Sequence, residues 1–186
     1  MGYTHYWYRK DKEHSAEEWK AFVDDCKVIA KNLPDKNAQG DPLYISGCFK
    51  YQKPQFTKAN VHFNGDHAPA KDRVQNAIGD WPDSELSHET FVIPRVFKGN
   101  ESTTESRSYG FFGCCKTARK PYDVMVTACL ILYKYHFGKD VEISSDGDPS
   151  EWADGWKLIG NCHPKGKEIV ADMYLQDSLF EQCITS

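Results

Sequence analysis

The chain has no run of about 18 consecutive apolar residues, the length that a membrane-spanning helix needs. Its most apolar stretch, 122–137, is shorter than that and flanked by charge, so no membrane partner is expected. There is no excess of positive charge either. A formal net charge of −4 and a pI near 6.0 provide no global basic field, which makes extended nucleic acid a poor partner and leaves room only for a local basic patch. The opening Met-Gly-Tyr-Thr-His-Tyr-Trp lacks the basic n-region and apolar h-region of a signal peptide, and Tyr6 stands where an N-myristoylation signal wants Ser or Thr. A soluble cytoplasmic protein is the expectation. The cysteines Cys26, Cys48, Cys114, Cys115, Cys129, Cys162 and Cys183 include no C-x-x-C pair, and His62 and His67 have no second ligand pair at zinc spacing. No metal or cofactor is expected, and free thiols fit a reducing compartment. Internal repeats, low-complexity tracts and the full spacing of a Ca²⁺ loop are also missing.

What is present is enough for a folded domain. With 186 residues, 40% of them apolar and 13% aromatic, the chain can bury a core without disulfides. Residues 4–9 are dense in β-formers and read as a strand with aromatics on both faces. One face must pack on the core; the other is a stacking platform for a base or sugar, or a contact within the chain. Ser15 and Glu18 form a capping signature, and Trp19, Phe22, Val23, Cys26, Ile29, Ala30 and Leu33 then recur as one helical stripe that should end before Pro34. Strands are predicted over 43–49, 60–64 and 90–95, separated by a long polar loop, 65–87, that has room for a short helix over 71–78. A second polar connection spans 98–108.

Residues 121–137 are apolar on nearly every face, the pattern of a buried helix. Pro121 fits its first turn and Gly138 its C-terminal stop. A short strand at Val141 and Ile143 follows. Asp148 and Pro149 then start a helix through Trp152, Trp156, Leu158 and Ile159, and a last helix runs over 168–182. The order of elements predicts a single α+β domain over 1–186, a mixed or antiparallel sheet packed against a buried central helix with flanking helices.

The strongest candidate site precedes that helix. Lys116, Thr117, Arg119 and Lys120 put cations and a hydroxyl at the positive end of a helix, where cations are unfavourable unless an anion lies between them. The bland alternative is pairing with surface carboxylates, and Asp123 is an internal counter-charge in reach. The same setting would lower the pKa of Cys115, and His88, beside Glu89, is the best base on paper for a nucleophile there. Asn64 in Phe63-Asn64-Gly65 and Asp146 in Ser145-Asp146-Gly147 end strands in turn sequences that also deliver polar groups to a pocket.

The blocks Met-Gly-Tyr-Thr-His-Tyr-Trp, Phe63-Asn64-Gly65, His88-Glu89-Thr90-Phe91, Cys115 to Asp123 (Cys-Lys-Thr-Ala-Arg-Lys-Pro-Tyr-Asp) and Ser145-Asp146-Gly147 resemble an uncharacterised family of phage and bacterial proteins. That family's pattern has an aromatic residue where this sequence has Cys114. The resemblance implies a cytoplasmic setting, the host's if phage-encoded, and brings no established activity.

The expected function is binding of an anionic small molecule, most naturally nucleotide-derived. Lys116, Thr117, Arg119 and Lys120 would hold its phosphate, and Tyr6, Asn64, His88 and Asp146 would surround the rest. In a phage the attractive form is a sponge that sequesters a nucleotide signal of host immunity. Two alternatives are a hydrolase or transferase on a similar ligand, using Cys115 or His88, and an interaction protein that blocks a host protein. Whether turnover occurs and whether the chain forms homo-oligomers stay open at this level.

Overall fold

The computed structural model describes residues 2–10, 13–48, 52–66, 85–97 and 111–176. The expected helix over 71–78, the connection over 98–108 and the end of the last helix, 177–182, lie outside the described residues. The elements in order are β1 (Thr4–Arg9), α1 (Ala16–Lys31), β2 (Tyr44–Ser46), β3 (Gln55–Phe56), β4 (Asn60–Asp66), β5 (Phe91–Pro94), β6 (Phe111–Lys116), α2 (Asp123–Phe137), β7 (Val141–Ser145), α3 (Ala153–Cys162) and α4 (Gly166–Gln176). The fold is α+β, and every strand pairing among the described residues is antiparallel.

β1 is the middle strand of one sheet, between β6 and β7. β4 organises the other: β3 and β5 both pair with Val61 and His62 and so flank it on opposite edges, while β2 pairs with its far half, Asn64 to Asp66. Glu89 stitches the sheets together. Its N–H donates to Lys116 O at 3.1 Å, and its carboxylate accepts from Lys116 N at 2.6 Å.

α2 is the spine. Met125, Val126, Ala128, Cys129, Leu130, Ile131, Leu132 and Tyr133 are all buried, because the helix packs against α1, α3 and β7 and lies in one core with Trp7, Phe63, Phe91 and Ile143. Truncating Leu130 to Ala at such a site costs about 2–5 kcal/mol. The helix starts two residues later than its apolar pattern suggests. Pro121 and Tyr122 form a turn in which Asp123 N–H donates to Lys120 O and Met125 N–H to Tyr122 O. At the other end Gly138, with φ 49°, closes the helix as expected.

α1 buries the predicted stripe of Trp19, Phe22, Val23, Cys26 and Ile29. Ser15 caps it, accepting from Glu18 N–H at 3.2 Å, and Asn32 ends it one residue before the predicted Leu33. Asp148 caps a 3-10 turn, Pro149–Trp152, with a full capping box through Glu151, and that turn leads into α3. Two carboxylate–imidazole links tie the helices. Asp25 of α1 accepts from His136 of α2 at 2.8 Å and from His163, the residue after α3, at 3.0 Å.

Two strands were not expected, β3 and β6. β3 has only two residues. β6 contains Gly113, normally a strand-weakening residue. The reason for the glycine is tertiary: Gly113 lies opposite Trp7, and a Cβ there would sit 2.3 Å from the Trp7 indole nitrogen. The indole needs that space to reach the core. Among the described residues no helix is long and apolar enough to cross a membrane.

Candidate functional site

Strand alternation divides β1 cleanly. Tyr3, His5, Trp7 and Arg9 point inward and are buried, while Thr4, Tyr6 and Tyr8 face outward. The antiparallel register sets Lys116 opposite Thr4, Cys114 opposite Tyr6 and Phe112 opposite Tyr8, and opposed residues share a face. The outward face of β6–β1–β7 therefore carries an aromatic patch with a cation at one end. Phe112 stacks against Tyr6 with ring centroids 6.0 Å apart and packs on Tyr8 at 5.0 Å. It is 47% exposed, a large hydrophobic side chain left in water. Lys116 stands four residues beyond Phe112 on the same face, about 13 Å along the strand. Its stem crosses Gly2, where a Cβ would lie 2.9 Å from Lys116 Cε. From the β7 side, Asp146 reaches the patch and accepts from the Tyr6 hydroxyl at 3.1 Å.

Three of the residues singled out from sequence, Tyr6, Lys116 and Asp146, thus share one surface. The rest of the basic segment turns away. Thr117 is buried, and its hydroxyl donates to the Asp123 carboxylate. Ala118 and Arg119 both adopt left-handed backbone, φ 52° and 58°, and Lys120 N–H closes the turn on Thr117 O at 3.0 Å. This turn type ordinarily asks for Gly, Asn or Asp at both central positions. What holds it is tertiary. Ala118 N–H donates to Tyr3 O at 3.1 Å, the Arg119 guanidinium lies 4.2 Å over the Tyr3 ring, and Arg119 Nε donates to Glu151 at 2.6 Å. That hydrogen bond to the Glu151 carboxylate holds Arg119 firmly charged. Lys120 is half-buried in the same turn.

The positive end of α2 has an internal anion. The Asp123 carboxylate accepts from both Thr117 and His5 Nε2, the latter at 2.7 Å. His5 is fully buried between Tyr3 and Trp152, edge-on to each. Its Nδ1 has no hydrogen-bond partner among the described residues.

Asn64 is buried and works within the fold. Its amide donates to His88 O at 3.0 Å and to the Thr90 hydroxyl at 3.2 Å, and its oxygen accepts from Gly65 N–H. The His88 side chain is exposed, next to the Glu89 stitch. Cys115 corrects the thiolate expectation. It faces the core, fully buried, and burial pushes its thiol far up despite a hydrogen bond with Tyr122. Lys116, next along the strand, points to the opposite face, so its field does not reach the thiol undamped. Cys114, on the outward face, is also raised, by partial burial and then by the Glu89 carboxylate.

Sequence reasoning missed Phe112. Its signal was the alternation Phe112, Cys114, Lys116, masked by Gly113. Among the described residues no group of three or more His, Cys, Asp or Glu side chains is arranged to hold a metal ion. A separate open groove of about 700 Å³ lies between α1 and the 57–59 turn, far in sequence from these residues. No protein-family model, curated protein or solved structure matches the chain.

Proposed function

We propose that the protein binds a planar, anionic small molecule of nucleotide type on the outward face of β6–β1–β7. One observation carries this: the exposed Tyr6–Phe112 stack lies on the same sheet face as Lys116. An aromatic surface in water stacks a nucleobase at about 1–3 kcal/mol per base. Lys116, on the same face at the end of the strand, is the cation available to the phosphate end of such a ligand. Asp146 is an acceptor beside the platform for base or ribose donors. Arg119 and Thr117 leave the binding set, since Glu151 and Asp123 already occupy them; their role is to hold the turn that follows Lys116.

Capture without turnover is the form we favour. The Cys114 thiol on this face is pushed up by desolvation and by the Glu89 carboxylate, away from the thiolate a nucleophile needs, and Cys115 faces the core. In a phage setting, capture of this kind would serve as a sponge for a nucleotide signal of host immunity.

The test is a thermal-shift panel of cyclic and linear nucleotides on the wild-type chain, Phe112→Ala and Lys116→Ala. A nucleotide that raises the wild-type Tm, with the shift lost in Phe112→Ala and reduced in Lys116→Ala, supports the proposal. Silence across the panel sinks it. Recovery of a chemically altered ligand would replace the sponge with an enzyme.

A further inference from the structure

Register sorts the outward side chains of β6–β1–β7 into rows across the strands. Tyr8 lies between Phe112 and Glu142, and Tyr6 between Cys114 and Ser144. Thr4 lies between Lys116 and Asp146, whose N–H donates to Thr4 O at 3.0 Å. Lys116, on the β6 edge, is the one nitrogen donor among these side chains. The β7 edge carries two exposed carboxylates, Glu142 and Asp146, with the Ser144 hydroxyl between them. Lys116 and Asp146 are two strand spacings apart, about 10 Å between backbones, so the face is positive on one edge and negative on the other. Asp146 is also the carboxylate tied to the platform. Its Oδ1 accepts from the Tyr6 hydroxyl at 3.1 Å, which holds it at the edge of the Tyr6 ring, and its Oδ2 has no hydrogen bond to a described residue. A carboxylate has about four acceptor sites, so the bond to Tyr6 leaves it able to accept two more.

From this arrangement we infer that the base taken by the platform is guanine, with Asp146 as the residue that selects it. The inference rests on the reading of this face as a nucleotide surface and adds the identity of the base. Lys116 draws the phosphate to the β6 edge, which leaves the hydrogen-bonding edge of the base to β7. Guanine sets two donors side by side there, N1–H and N2–H, and one carboxylate accepts both as a bidentate pair. The other bases set acceptors in that position. Adenine has N1 beside its amine, cytosine has N3 and O2, and uracil flanks its single N3–H with two carbonyl oxygens. Each of those acceptors is repelled by a carboxylate and calls for a donor, and the nitrogen donor of this face stands on the far edge.

The experiment is isothermal titration calorimetry on the full chain with the 5′-monophosphates and the 3′,5′-cyclic monophosphates of guanosine, inosine and adenosine. Inosine keeps N1–H and lacks the 2-amino group. The variants are Asp146→Asn and Glu142→Gln, both at exposed positions, and circular dichroism confirms that each is folded. Guanosine nucleotides are expected to bind about tenfold more tightly than adenosine nucleotides, with inosine between them. Asp146→Asn should weaken guanosine about tenfold and leave adenosine unchanged within about twofold, because the amide replaces one acceptor with a donor. Glu142→Gln should keep the guanosine preference. Nucleotide binding without a base preference, a preference for adenosine, or a guanosine preference that survives Asp146→Asn or is lost in Glu142→Gln overturns the inference and leaves the nucleotide surface standing. No binding of any of these nucleotides overturns both.

Discussion

His14 gives the sharpest test of the packing. Its ring is 5% exposed, tilted against Phe137 with centroids 3.8 Å apart and stacked parallel to Trp19, and its Nε2 meets the Tyr133 hydroxyl at 2.5 Å. Tyr133 is itself buried, which pushes its phenol up to about 12, so the neutral hydroxyl donates and the imidazole accepts. Burial first, and then the positive charges of Arg9 and Arg95, push His14 down to about 4, against an opposing pull from Asp140. The folded protein therefore holds His14 neutral where the unfolded chain would protonate it. A depressed folded value means the stability is present above the unfolded pKa and is lost as pH falls toward the folded one. With an unfolded value of about 6.5, the full linkage is about 3.4 kcal/mol, and about 2 kcal/mol of it is lost between neutral solution and roughly pH 5. Urea unfolding of the wild type and His14→Gln across that range measures it. A glutamine side chain cannot titrate, so the gap in stability between the two proteins should shrink by about 2 kcal/mol on acidification. Parallel curves would show that His14 is either accessible to water or already charged in the fold, and the packing described above would be wrong.

Three further outcomes follow from single sites. Asp25→Ala removes the acceptor shared by His136 and His163, leaving two largely buried N–H groups unpaired, and should cost about 2–4 kcal/mol in urea unfolding; a loss below about 0.5 kcal/mol would mean the link contributes nothing. Burial alone would raise the Asp25 carboxyl, but the hydrogen bonds from the two histidines outweigh it and leave it below the usual carboxylate range. Gly113→Ala drives a Cβ into the Trp7 indole and should cost about 1–3 kcal/mol, with the Trp7 fluorescence changed; a neutral substitution would contradict the close approach of β1 and β6. Ala118→Gly relieves the left-handed strain at a cost in unfolded-state entropy, for a net gain of about 0.5–1 kcal/mol, or a Tm rise of about 1–4 °C; a lower Tm would place Ala118 in ordinary helical or extended backbone.

Much of the architecture was legible because local chemistry and tertiary environment agree. The all-apolar 122–137 stretch has no stable place except the interior, so α2 was visible from composition alone. The three–four spacing from Trp19 to Leu33 and the caps at Ser15 and Asp148 likewise encode their elements within a few residues. The α+β class follows from that order of strands and helices. β6 was not legible, because Gly113 lowers strand propensity for a reason carried by Trp7, more than a hundred residues away in the chain.

At the candidate site the division is similar. Cations ahead of the buried helix, aromatics on both faces of β1 and an aspartate at the end of a strand could all be read from the residues in order. Which of these groups still face water was set by contacts between distant segments. A left-handed turn at Ala118 and Arg119 sends consecutive side chains in directions that no helical or strand periodicity predicts. Arg119 thereby reaches Glu151 and Thr117 reaches Asp123, while Lys116, the last residue of β6, keeps the outward direction set by the pleat. Hydrogen-bond partners took three of the expected ligand groups into the fold, Thr117 through nearby Asp123, Arg119 through Glu151, and Asn64 through His88 and Thr90, and register brought Phe112 beside Tyr6 to form the platform.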